Sequence, residues 1–276
     1  MDKQSIQTLL DDCGSDDPAL QAEAVIELVD AQAYVAVPEI VNLLTSPDPS
    51  IRSSAAYALG YLGSKAVETV GPVLLNLLTD PEVIVRSEVV EALGGLHYIP
   101  AVEHIKYSLQ NDHEPLVRAS AAEALGEIGD NQALATLELS LKDSDESVRA
   151  YAANSIGLLG TPQLVPKLET YLQSEHSLRV KAELLGAMYR LGATEHLNQL
   201  ISLLDNADEH LATCILNLLT DLTERQVPSA LADDAPKICK SLTGIVERFP
   251  ILSSHAEEIA IQLKSSCRLG QDDASL

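Results

Sequence analysis

VRASAAEALGEIG, residues 117–129, reads as one amphipathic helix: Val117 and Arg118 open it, Ala and Leu fill one side, and Gly126 and Gly129 are expected to close it. The same pattern recurs as IRSSAAYALGYLG (51–63), VRSEVVEALGGLH (85–97) and VRAYAANSIGLLG (148–160). Taking the arginine as a marker gives Arg52, Arg86, Arg118, Arg149 and Arg179, spaced by 34, 32, 31 and 30 residues. A fixed period of this size is the signature of one supersecondary unit repeated along the chain.

A short polar turn precedes each marker (SPDPS, DPEV, NDHEP, DSDES, SEHS), and an apolar helical stretch such as VPEIVNLLT or ALATLELSLK precedes the turn. Each unit is therefore expected to be a helix, a turn and a second helix. Pro49, Pro81 and Pro115 fall in the turns or at first helical positions, where a missing N–H costs nothing. Asp48, Asp80, Asp112 and Asp143 are expected to cap the second helices, and Gly63, Gly129 and Gly160 to end them. The predicted fold is all-α, a right-handed α-solenoid of about seven to eight helix pairs. Its expected layout is an N-terminal capping pair over 1–33 with Gln21 in place of the arginine, regular repeats over 34–192, and divergent repeats with a C-terminal cap over 193–264. A flexible tail over 265–276 completes it.

Composition agrees with close helix packing. The chain is 46% hydrophobic but only 3% aromatic, so its core must be Ala, Leu, Val and Ile, which suit helices in tight layers. Acidic residues outnumber basic ones 41 to 18, a formal charge of −23, which disfavours nucleic acid and anionic membranes and either keeps a long, apolar-cored solenoid soluble or suits a basic protein partner. Cys13, Cys214, Cys239 and Cys267 have neither disulfide-framework nor zinc-knuckle spacing. MDKQSIQTLLDDCGSDD lacks the basic start and apolar run of a signal peptide, and a cytoplasmic location is expected.

Each marker arginine follows an acid by six residues (Asp80, Asp112, Asp143) or by four (Asp48, Glu82, Glu114, Asp145, Glu175). Bonded to carboxylates and turn carbonyls of its own and the adjacent repeat, Arg52, Arg86, Arg118, Arg149 and Arg179 would form a structural ladder that sets the stacking.

A turn aspartate followed by VRxxAAxALGxIG resembles the HEAT repeat, in the short variety named for the phycobilisome lyases, over about residues 34–192. The resemblance implies that second helices line a concave surface. Residues three, four and seven after the arginine would then face the core: Ala55, Ala56 and Leu59; Val89, Val90 and Leu93; Ala121, Ala122 and Leu125; Ala152, Ala153 and Ile156. Residues two, five and nine after it would face the other way: Ser54, Tyr57 and Tyr61; Glu88, Glu91 and Gly95; Ser120, Glu123 and Glu127; Tyr151, Asn154 and Leu158. Tyr57, Tyr61, Glu88, Glu91, Glu123, Glu127, Tyr151 and Asn154 are accordingly the candidate partner-binding residues, an acidic centre flanked by tyrosines.

The function expected is a non-enzymatic scaffold or assembly factor that binds a protein partner on this acidic face. The resemblance supplies an alternative, one subunit of a heterodimeric phycobilin lyase that works with a second HEAT-like chain, a bilin and a phycobiliprotein. Under that reading alone would the protein carry a cofactor or be an enzyme. Charge supplies a third, an acidic inhibitor or immunity-type protein for a basic enzyme. No catalytic residue and no metal site is expected. A hydroxylase of the same repeat family holds iron through several His-Glu dipeptides, whereas here only His113-Glu114 occurs, in a turn. The reversed pairs Glu103-His104, Glu175-His176, Glu195-His196 and Glu209-His210 are scattered.

Overall fold

The computed structural model describes residues 3–224 and 230–272. They form sixteen α-helices and no strand among the described residues. The helices fall into eight sequential pairs: α1 (Lys3–Cys13) with α2 (Pro18–Asp30), α3 (Val37–Leu43) with α4 (Pro49–Leu62), α5 (Val67–Leu75) with α6 (Val83–Gly95), and α7 (Val102–Asn111) with α8 (Pro115–Ile128). Then come α9 (Leu134–Ser140) and α10 (Glu146–Leu159), α11 (Val165–Ser174) and α12 (Leu178–Arg190), α13 (Leu197–Leu203) and α14 (Glu209–Glu224), and α15 (Ala230–Arg248) and α16 (Ser253–Asp272). This is the all-α, repeat-built architecture expected of an α-solenoid. The last helix runs on into the segment expected to be a tail; residues 273–276 lie outside the described residues.

The chain divides into two compact units, Met1–Ser155 and Ile156–Leu276, with the division inside α10. In the first, α2, α4, α6 and α8 stack on one another in order, and α3, α5 and α7 each pack on the second helix of their own pair. In the second, α12, α14 and α16 stack likewise, and α15 packs on α16. First helices are short and most begin with a 3-10 turn, as at Tyr34–Ala36 and Ile99–Ala101. Second helices are longer, and theirs are the faces that repeat.

The core follows the helical period. Ala55, Ala56, Leu59, Val89, Val90, Leu93, Ala121, Ala122, Leu125, Ala152, Ala153 and Ile156 are all fully buried. Small residues at the first two of these positions let successive second helices come close, so the alanines set the layer spacing as well as filling it.

Arg52, Arg86 and Arg118 occupy one repeated geometry. In α4, Arg52 Nε and Nη2 donate to the two carboxylate oxygens of Asp80 at 2.8 Å each, and Nη1 donates to the carbonyls of Ser46 and Pro47 at 2.9 and 3.3 Å. Arg86 grips Asp112 at 2.8 and 3.0 Å and reaches the Asp80 and Pro81 carbonyls. Arg118 grips Asp143 at 2.8 Å twice and reaches the Asp112 and His113 carbonyls. Each arginine thus takes carbonyls from its own turn and a carboxylate from the next. Arg149 bonds the Asp143 and Ser144 carbonyls in the same manner. In α2, Gln21 substitutes an amide, donating to the Cys13 and Ser15 carbonyls at 3.2 and 2.8 Å.

This use of the aspartates corrects three of the four expected caps. Asp48 does cap α4, accepting from the Ser50 amide at 2.8 Å, but Asp80 and Asp112 stand two residues before the caps, which are Glu82 and Glu114. Asp143 likewise precedes Asp145, whose carboxylate accepts from Ser147. The three aspartates close tight turns instead, accepting from the amides of Glu82, Glu114 and Asp145, and their remaining capacity goes to the preceding arginine.

The glycines differ as well. Gly63, Gly129 and Gly160 do stand directly after α4, α8 and α10, but of the three only Gly129 ends its helix in the left-handed region, at φ 83°. Gly126 does not close its helix; it lies buried inside α8, where an added Cβ would meet Ser155 Oγ at 2.4 Å and Ser155 Cα at 3.1 Å. Gly60, Gly94 and Gly157 stand at the same place in their repeats and would meet Ala92, Ala124 and Ala187 at 3.1, 2.8 and 2.7 Å or less than 0.3 Å beyond. Eight residues after the arginine, glycine marks where one second helix touches the next.

Candidate functional site

The face of α4, α6 and α8 turned away from the first helices carries a groove of about 460 Å³ within the first unit. It exists because the fifth and ninth residues after each arginine fall on one side of a helix, while glycine and alanine beneath them keep the floor low. Tyr57 and Tyr61 form one wall; Glu88 and Glu91 stand in the middle and Glu123 and Glu127 opposite. Six of the eight candidate residues therefore come together. Tyr151 and Asn154, half-buried on α10, are not part of this lining.

The tyrosine rings pack at 4.8 Å between centroids with an interplanar angle of 50°, and they are 45% and 61% exposed. Paired aromatics left open to this extent offer a preassembled apolar platform. The Tyr57 hydroxyl is held above its ordinary pKa, first by the neighbouring Tyr61 and further by burial and the negative charge of Glu88 and Asp30. Glu88 is raised too, first by burial and then by Glu91. A carboxylate that is partly desolvated beside a like charge is in a state that a cation relieves.

Glu91 is less free than its helical position implies. Its Oε1 accepts from Ser120 Oγ at 2.7 Å and from Ser87 Oγ at 3.4 Å, and the two hydroxyls lie 2.9 Å apart. Ser120, expected on the open face, is buried, because α6 and α8 approach closely enough to cover the second residue after Arg118. Glu91 consequently ties α6 to α8 beneath the groove. His97, at φ 49°, places Nδ1 2.6 Å from the Glu127 carbonyl oxygen and joins the end of α6 to that of α8.

Beyond Tyr57 the surface continues over α2, where Ile26, Asp30 and Ser54 line a second hollow that shares Tyr57 and Glu88 with the first. Ile26 and Asp30 were not among the candidates. They are the fifth and ninth residues after Gln21, so the rule that found Tyr57 and Tyr61 reaches them once the glutamine is used as the marker.

Among the described residues, no group of three or more His, Cys, Asp or Glu side chains is placed to hold a metal ion. His113-Glu114 lies in the turn before α8. No described helix is long and apolar enough to cross a membrane. Cys13 is buried and its thiol is pushed up to about 11, chiefly by burial; the Cys267 side chain lies outside the described residues.

Comparison with known proteins identifies the repeats. The model of the HEAT repeats matches residues 6–94, 71–146 and 137–218. No curated protein sequence matches the chain. Among solved structures, a chain of the complex of CpcE and CpcF of phycocyanin lyase from Nostoc sp. PCC7120 is similar at 20% identity and a TM-score of 0.61, over 83% of this chain and 94% of that one. An engineered protein solved by the Northeast Structural Genomics Consortium is similar at 22% identity and a TM-score of 0.52, over 70% of this chain and 98% of that one. Both likenesses concern the fold. With its repeats matched along most of its length, the chain belongs to the HEAT-repeat family.

Proposed function

We propose that the protein is a non-enzymatic scaffold or assembly factor whose groove on α4, α6 and α8 binds a Lys- or Arg-bearing segment of a partner protein. The observation that carries this reading is the exposed Tyr57–Tyr61 pair standing across a single groove from Glu88, Glu91, Glu123 and Glu127. A guanidinium or ammonium seated there would stack on the rings and relieve the like-charge crowding around Glu88. The partner's remaining apolar surface would meet the low floor of glycine and alanine.

The test is affinity capture from the native cytosol at low and high salt, with wild type against Glu88→Lys/Glu123→Lys. A partner retained by the wild type, released by salt and lost in the double variant supports the reading. Retention by the variant overturns it.

The fold likeness to a chain of a phycocyanin lyase complex favours one second reading, a subunit of a phycobilin lyase. The groove argues against it as the bilin site, because propionates call for cations where four glutamates stand. An absorption spectrum of the captured complex separates the two: bilin absorption supports the lyase subunit, and a colourless complex supports the scaffold.

A further inference from the structure

A different surface, in the second unit, has the opposite character. Residues 156–276 carry 10 basic and 16 acidic side chains, against 8 and 25 in residues 1–155, so the excess of acid is concentrated in the first unit. Between α13 and α15 lies a cleft of about 490 Å³ into which Lys237 and Lys240 project. Three residues apart on α15, they share one helix face about 5–6 Å from each other. Lys237 donates to the neutral amide oxygen of Asn198. Among the described residues, no carboxylate comes within ion-pair reach of either ammonium, although Asp205 stands at the same rim. Two exposed lysines without a carboxylate partner are conspicuous in a chain with 41 acids.

The rest of the cleft is shaped for a polypeptide. Its base is formed by the buried Ile201, Leu204 and Ile245. Gly244, one helical turn beyond Lys240 on the same face, leaves open space where a side chain would stand, with no atom within 4 Å of an added Cβ. Arg248 holds the cleft together, its Nη1 donating to the carbonyls of Leu204 and Asp205 and its Nη2 to that of Ala207 after α13, while its charge adds to the field. Nucleic acid fits less well, because a long polyanion would run out over a surface of net negative charge. A short acidic segment meets the lysines within a Debye length of about 8 Å, beyond which the acids elsewhere are screened.

We propose that the cleft between α13 and α15 receives an acidic segment of a partner polypeptide, its carboxylates on Lys237 and Lys240 and its backbone lying over Gly244. The surface is separate from the groove of the first unit, and the proposal stands or falls independently of that groove.

The experiment is fluorescence anisotropy with a labelled octa-glutamate peptide and the full chain at about 150 mM salt. Wild type binds; Lys237→Glu/Lys240→Glu weakens binding about tenfold or more while the melting temperature is kept, because both side chains are exposed. Gly244→Met fills the cleft without changing charge and weakens binding to a similar degree, whereas Glu88→Lys/Glu123→Lys leaves it intact. The proposal is overturned if wild type does not bind the peptide, if either cleft variant binds as wild type does, or if labelled oligo-dT binds as tightly as octa-glutamate.

Discussion

Arg118 of α8 holds Asp143 of the following repeat through two parallel hydrogen bonds of 2.8 Å, while its third nitrogen binds the Asp112 and His113 carbonyls of its own turn. One side chain thereby links two repeats at fixed spacing. The pair is largely covered, with 13% and 14% of the side chains exposed, so removing either partner leaves the other with a desolvation cost and no compensation.

Arg118→Ala is therefore expected to destabilise the protein by about 2 kcal/mol, and Arg118→Lys by nearly as much, because an ammonium cannot reproduce the fork that bonds both carboxylate oxygens. Chemical denaturation of the three proteins checks this. An unchanged midpoint for the lysine variant would show that charge alone, rather than bidentate geometry, supports the stacking.

The ladder also predicts acid sensitivity. Burial by itself would raise Asp80, Asp112 and Asp143, but the bonds from Arg52, Arg86 and Arg118 and from the turn amides hold all three below the ordinary value of 3.8. A depressed carboxylate contributes stability that is fully present above the unfolded-state pKa and is lost as pH falls through the folded one. Stability should thus be insensitive to these groups at pH 5 to 7 and fall steeply below about 3.8. Circular dichroism during an acid titration reads the transition, which should move to higher pH in Asp143→Asn, where the pairing charge is already gone.

Two glycines give opposite expectations. Gly126→Ala places a Cβ 2.4 Å from Ser155 Oγ and 3.1 Å from Ser155 Cα, forcing α8 and α10 apart, at a cost of roughly 1–3 kcal/mol that outweighs the gain in helix propensity of about 1 kcal/mol. Gly95→Ala meets no atom within 4 Å and should stabilise by about 0.5 kcal/mol through propensity alone. Their melting temperatures should move in opposite directions. A stabilised Gly126→Ala would show that the helices can part without loss.

Glu88 is raised by burial and by Glu91, so its charge is disfavoured in the folded state. That cost is present above the folded pKa and is relieved as pH falls through it. Glu88→Gln should accordingly raise stability at pH 7 by about 0.5 kcal/mol, with the advantage vanishing near pH 4, and should weaken capture of a basic partner. Thermal melts at the two pH values, run beside the capture assay, measure both effects.

The sequence by itself determined the repeat, the all-α class and the core. Alanine and leucine recur at three, four and seven residues after the marker arginine, a period that only a helix can place on one side, and every such residue from Ala55 to Ile156 is buried. The tyrosines and glutamates of the groove were legible by the same period. What it left open depended on the distance between helices. The arginine could take the acid of its own turn or of the next, and stacking selects the next for Arg52, Arg86 and Arg118. Gly126 could end a helix or make room for a neighbour, and Ser155 at its surface selects the second. Ser120 could face solvent, but the approach of α8 to α6 buries it against Glu91. The cleft of Lys237 and Lys240 joins residues from different pairs, α13 and α15, and no period within one helix records it. Period is a local property of the chain; which repeat supplies a partner, and how closely, is decided only when the helices stack.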